Sequence, residues 1–198
     1  MNCPVCGAAV PGELKYAKLV VCEHCKTSLF LEDESVKDVG VKSALTEMHS
    51  IFELGRRYAY RGKSFEMEGR VRYDYGNGLW DEWWARFDDG NGRWVSVDEG
   101  DIAIQAPQMV DETPPPFDRV SVGQYLRIDG IQLTVTEKNE AHCVGLEGRL
   151  PEVVMPGDSH QYLHLSGPRG LLYTVEYEPD AIDVHRGNWV DPFDVRAL

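Results

Sequence analysis

Basic residues are in short supply in this chain. Lys and Arg number 20 against 33 Asp and Glu among 198 residues, a formal net charge of −13. That balance opposes binding to a phosphate backbone, which relies on Lys and Arg displacing counterions. It equally opposes docking on an anionic membrane surface. It favours basic proteins or small polycations as partners, beside the plainer service of keeping the chain soluble. No run is long or apolar enough to span a bilayer. The opening MNCPVCG lacks the basic then apolar pattern of a secretory leader. Neither a GxSxG elbow, nor HExxH, nor a phosphate loop occurs, and no nucleophile–base pair stands out. The scattered acids read as solvated strand faces, and no enzymatic activity is expected. Cysteine is limited to five residues, four of them in CxxC pairs, which suits thiolates holding metal in a reducing compartment. A cytoplasmic location without membrane insertion is expected.

What is present starts with those cysteines. Cys3 and Cys6 form one CxxC pair, and Cys22 and Cys25 another, at a spacing suited to a structural metal site. Each CxxC turn aims two sulfurs at one point, and four thiolates satisfy tetrahedral Zn(II) with no coordination position left open for catalysis. A disulfide pair or a redox CxxC is the competing reading, but a thioredoxin-like site needs a βαβ setting that is absent. Gly7 follows the first pair where a knuckle needs positive φ, Pro11-Gly12 supplies a turn, and Leu19 to Val21 reads as the returning strand. So short a segment has too little core to fold unaided, so structural zinc would supply its folding energy. Residues 1–31 resemble a zinc ribbon. With only Lys15, Lys18 and Lys26 on its positive face, and Glu32, Asp33 and Glu34 next in line, the ribbon suits protein contact better than nucleic acid. His24 reads as a surface residue.

The remainder is β in pattern. Gly55 and Gly62 are matched by Gly123 and Gly130, and Tyr58, Tyr60, Phe65 and Met67 fall opposite Leu126, Ile128, Leu133 and Val135 at one offset, as a duplicated unit would leave them. From Ser64 to Tyr75 the alternation is close to period two. Phe65, Met67, Val71, Tyr73 and Tyr75 share one face, and Glu66, Glu68, Arg70, Arg72 and Asp74 the other. Gly69 falls on the apolar parity and marks a bulge or bend. Gly76-Asn77-Gly78 is a hairpin turn. In the next strand Leu79, Trp83, Ala85 and Phe87 form the core face. Trp80 and Trp84 lie on the opposite face with Glu82 and Arg86, either as an exposed partner-binding patch or covered by another part of the chain. Residues 50–105 thus make a first β-module, and 106–119, with Pro107 and Pro114 to Pro116, a stiff linker. Residues 120–198 make a second module with a long insertion loop from Lys138 to Ser159. Val41, Leu45, Met48 and Phe52 allow either a short helix or an extended lead-in. His142, His160, His164 and His185 show no tight ligand spacing, and Cys143 reads as a buried thiol in a strand. The fold class is mainly β: a zinc ribbon followed by two related small β-barrel or sandwich modules.

Two sets of stretches resemble a known family. Gly62 to Gly69, Trp80 to Trp83 and Arg93 to Val95 resemble its first unit. Val122 to Tyr125, Glu147 to Pro151 and Leu171 to Tyr177 resemble its second. The family is the bacterial domain of unknown function 4178, here preceded by a zinc ribbon, over about residues 50 to 190. It has no established activity to carry over, and its motifs specify a fold more than a chemistry. The resemblance implies a cytosolic accessory protein with a genomic setting of membrane stress and polyamines. The leading expectation is a non-enzymatic adaptor that holds partner proteins through the ribbon and β-modules. The alternatives are a binder of small polycations such as polyamines, through carboxylates and aromatic faces, and a nucleic-acid-associated ribbon protein.

Overall fold

A computed structural model describes residues 1–10, 17–32, 35–43, 45 and 48–198. The Pro11-Gly12 turn, Lys15, Asp33 and Glu34 lie outside the described residues. The order of elements is β1 (Leu19–Val21), β2 (Thr27–Glu32), β3 (Ser35–Lys42), β4 (Arg57–Tyr60), β5 (Lys63–Asp74), β6 (Leu79–Phe87), β7 (Gly92–Asp98) and β8 (Asp101–Pro107). There follow β9 (Tyr125–Ile128), β10 (Ile131–Leu150), β11 (Ser159–Ser166), β12 (Leu171–Tyr177), β13 (Ile182–Val190) and β14 (Arg196–Ala197). Helix among the described residues is confined to three short 3-10 turns, at Phe117–Arg119, Pro168–Gly170 and Pro192–Asp194. None is long and apolar enough to cross a membrane. Val41 lies in β3, which pairs with β2, so no helix runs through it, and Phe52 is buried in the core of the first unit.

The two β-units follow the same plan. Strands β4 to β8 form one antiparallel meander and β9 to β13 another. The units are joined along both margins, because β8 pairs with β13 and β5 pairs with β10. Following hydrogen-bonded neighbours from β5 through β6, β7, β8, β13, β12, β11 and β10 leads back to β5, a ring of eight strands within one large sheet. Both seams join like to like. Asp74 lies as far beyond Gly62 as His142 lies beyond Gly130, and these two are direct partners. Pro107 lies as far beyond Gly92 as His185 beyond Gly170, and they too are partners. In each seam that matching pair is the first of an antiparallel ladder.

Three cores result. Phe65, Met67, Trp83, Ala85, Phe87, Val95 and Ile102 fill the first unit. Leu133, Val135, Leu163, Leu165, Tyr173 and Val175 fill the second at matching places. The third is shared by both units and by the N-terminal module. It holds Leu19, Val21, Val71, Tyr73, Trp80, Trp94, Leu146 and Tyr162. The register of β5 slips between Met67 and Gly69. A slip of one residue exchanges the faces of a strand, so Val71 and Tyr73 enter the shared core instead of joining Phe65 and Met67. It also turns Arg70 and Arg72 inward, where both are buried. The expected wet face of β5 is therefore dry at this end.

The expected insertion loop is also corrected. Lys138 to Leu150 continues β10, whose first half pairs with β11 and second half with β5. Only residues 151–158 are irregular. The glycines that suggested a loop serve the seam: Gly148 pairs with Gly69, and a Cβ on Gly148 would lie 2.3 Å from the Glu68 carbonyl oxygen. The proline-rich segment packs rather than hangs free, since the Tyr177 hydroxyl donates to the Pro115 carbonyl at 2.7 Å and Phe117 meets the Tyr177 ring.

Candidate functional sites: a four-cysteine cluster and a shared acidic chamber

The cysteine cluster forms where the sequence places it. Two knuckles close on the backbone, Gly7 N–H to Cys3 O at 2.9 Å and Lys26 N–H to Cys22 O at 2.8 Å. Each ends on a left-handed residue, Gly7 or Lys26. The four Sγ atoms of Cys3, Cys6, Cys22 and Cys25 lie within 4.8 Å of one another, with Cys3–Cys25 and Cys6–Cys22 both at 3.7 Å. Tetrahedral ligands about 2.3 Å from a zinc ion stand about 3.8 Å apart, so the donor set fits such a metal. The Thr27 side chain and amide beside Cys25 hold its thiol down to about 6. The module is not a loose appendage. Leu19 and Val20 of β1 pair with Leu150 and Arg149 of β10, and the buried Ser43 hydroxyl is hydrogen-bonded to both the N–H and the carbonyl of Leu146.

Trp80 and Trp84 do not form an open patch. Trp80 is buried at 8% exposure, with its ring 5.2 Å from both Tyr73 and Tyr162, the latter belonging to the second unit. Trp84 is half-buried and packs edge-on against Trp94 at 5.2 Å, over Gly92. Trp80 is thus covered by the other unit and Trp84 by its own neighbouring strand, because the face they occupy is turned toward the shared interior.

That interior is acidic. A narrow cavity of about 20 Å³ is lined by Tyr73, Glu82, Trp94, Gln105, Glu152, Glu176 and His185, drawn from six different strands and the 151–158 segment. It shares Tyr73, Glu152 and Glu176 with a larger chamber of about 390 Å³, where Asp158, Glu178, Asp183 and His160 add to the wall. On its other side Glu82 is shared with a chamber of about 270 Å³ holding Asp98, Asp101, Glu137, Tyr162, His164 and Trp189. No Lys or Arg lines any of the three among the described residues. Lys18 acts on Glu152 from nearby.

The electrostatics follow from acids crowded where the surrounding chain excludes part of the water. Burial pushes the Glu82 carboxyl up to about 7, while bonds from Ser96 and Trp80 restrain it. Glu152 is an exposed residue overall, but loss of water around its carboxyl pushes it up to about 7, with repulsion from Asp183 and Glu82 adding to it. Glu176 is driven well above the usual carboxylate range by burial, then by Glu152 and Glu82. Burial also raises Asp98 and lowers His160, the latter to about 4. Glu137 goes the other way. Its oxygens meet the Tyr162 hydroxyl at 2.5 Å and His164 Nδ1 at 2.9 Å, and His164 above all holds it low.

Sequence reasoning missed this chamber, although part of its signal was visible. Glu82 shares the parity of Trp80 and Trp84, and His160, Tyr162 and His164 share one parity in β11. Each set reads as a wet face when its strand is taken alone; only the closure of one unit on the other makes them face a common interior. The model of one family, described as Domain of unknown function (DUF4178), matches residues 53–192, more than half of the chain. No curated protein and no solved structure matches.

Proposed function

The chain belongs to the family described as Domain of unknown function (DUF4178), and from that footing we propose that it is a non-enzymatic binder of a small organic polycation, received in the acidic interior between its two β-units. One observation carries this reading: Glu82, Glu152 and Glu176 converge on a cavity whose lining contains no Lys or Arg among the described residues. Carboxylates crowded together repel one another, and a cationic ligand would offset that repulsion. The aromatic rings of Tyr73, Trp80, Trp94 and Tyr162 offer faces for a cation and for methylene groups. The four cysteines, in this reading, hold a structural zinc ion that closes the N-terminal module against β10, next to the segment bearing Glu152. Zinc bound by four thiolates has no open position, so it supplies folding energy and no chemistry. With Trp80 buried and Trp84 half-buried, the adaptor reading rests on the ribbon and not on the aromatic face.

Calorimetry with spermidine at low ionic strength tests the proposal. Binding should strengthen as the pH rises from 6 to 8, because a cation favours the charged form of carboxyls that titrate near 7. Protons should be released on binding, seen as a heat that changes with the buffer. Absence of any heat at pH 8 would overturn the reading.

A further inference from the structure

The outer edges of the two units differ. In the first unit β4 forms the margin, and the chain's own C-terminus covers it. Arg196 and Ala197 of β14 pair with Ala59 and Tyr58, and the Leu198 N–H donates to the Arg57 carbonyl at 3.0 Å. In the second unit β9 holds the matching place. It turns into β10 at Asp129-Gly130 as β4 turns into β5 at Arg61-Gly62, with all four turn residues at positive φ. Among the described residues β9 pairs with β10 alone. Hydrogen-bonding direction alternates along an antiparallel strand. On β4 the outward-bonding residues are Arg57 and Ala59, so on β9 they are Tyr125 and Arg127. Both are exposed, Tyr125 at 65%, while the alternate residues Leu126 and Ile128 face the core.

A bare edge of this kind is a template for another strand. The chain's own tail does not suit it. In the register seen on β4, Arg196 would lie directly opposite Arg127, and like charges so placed repel. A second β9 does suit it. In an antiparallel pair centred on Leu126, Tyr125 lies opposite the partner's Arg127, and Arg127 opposite the partner's Tyr125. Each of these pairs exchanges two backbone hydrogen bonds and sets a guanidinium beside a tyrosine ring. The half-buried Leu126 side chains of the two copies meet on the core face. We infer that β9 is an interface between two copies of this chain, joined edge to edge about a two-fold axis at Leu126. Such pairing is isologous, the arrangement that a two-fold dimer uses. β9 lines none of the three acidic chambers, so the interface is independent of what they bind.

Sedimentation of the full chain over rising concentration tests this. Four residues from each copy make a small interface, so half-association is expected on the order of 100 µM. Salt should strengthen it, because each copy carries a net charge of −13. Amide exchange at Tyr125 and Arg127 should slow as the dimer fills, a readout that needs no substitution. Tyr125→Arg sets arginine opposite arginine on both sides of the axis and should abolish the dimer. Adding Arg127→Glu restores opposite charges across the axis and should bring it back. Both side chains are exposed, so the variants should melt with the parent. A monomer at every concentration up to about 1 mM, or exchange at Tyr125 and Arg127 that ignores concentration, would overturn the inference. So would a folded double variant that stays monomeric. A dimer that survives Tyr125→Arg would assign association to exchanged C-terminal tails or to another face, and would overturn it too.

Discussion

Glu82 carries the chemistry of the chamber and a measurable cost of keeping it. Its carboxyl is held up to about 7 in the fold, against 4.5 for the ordinary side chain. The folded state therefore keeps the proton more firmly than the unfolded chain does. This group's contribution to stability is fullest in acid and falls as the pH rises from about 4.5 through about 7. Glu82→Gln should match the parent near pH 4.5 and melt at a higher temperature at pH 8. Identical pH slopes for the two proteins would show that the group is not held protonated. Asp81, its neighbour on the opposite face of β6, plays a structural part. It takes Arg72 through Nε at 2.7 Å and Nη2 at 2.8 Å, and Arg70 at 3.4 Å, all three residues being buried. Asp81→Ala leaves buried guanidinium charge behind and should cost about 3–5 kcal/mol of unfolding free energy in denaturant titrations.

At the scale of elements, β10 joins the molecule together. It pairs with β9 and β11, then with β5, and finally with β1 of the cysteine module. The crossing with β5 is tight enough that neither Gly69 nor Gly148 has room for a side chain, and Gly148 also sits at φ +75. Gly148→Ala should therefore loosen this seam, costing about 1–3 kcal/mol or more. Hydrogen exchange should speed first at the amides of Arg70, Arg72 and Glu147, which alternate with the Leu146–Val71 pair along the seam. A variant whose seam amides exchange at the parent rate would show that the strands can part to admit a methyl group at no cost. The long strand was hard to read because two register slips, between Val135 and Glu137 and between Cys143 and Gly145, break its alternation.

Across the whole molecule, the cysteine module and the chamber are mechanically linked. Leu19 and Val21 belong to the same core as Tyr73, Val154 and Tyr162, and the Lys18 N–H donates to the Leu150 carbonyl at 2.9 Å, two residues before Glu152. If a metal holds the four thiolates, stripping it with a chelator should unpair β1 from β10. Exchange should then rise at Lys18 and at Arg149 before the amides of β12 respond. Uniform exchange across the chain after chelation would mean that the module and the ring unfold together.

The sequence by itself determined the cysteine cluster, the hairpins and the part of the first core made by Phe65, Met67, Trp83, Ala85 and Phe87, because each rests on local spacing: CxxC turns, period-two alternation and turn residues at fixed offsets. It also located the bulge at Gly69. Tertiary structure alone decided where the second face of each strand points. Trp80, Glu82, Tyr162 and His164 are polar or aromatic residues on faces that water would accept, and nothing within a single strand distinguishes a solvated face from one closed over by its counterpart. The seams between β5 and β10 and between β8 and β13 made that choice. Such pairings join residues far apart in sequence, and backbone hydrogen bonds between strands leave little trace in the side chains that flank them.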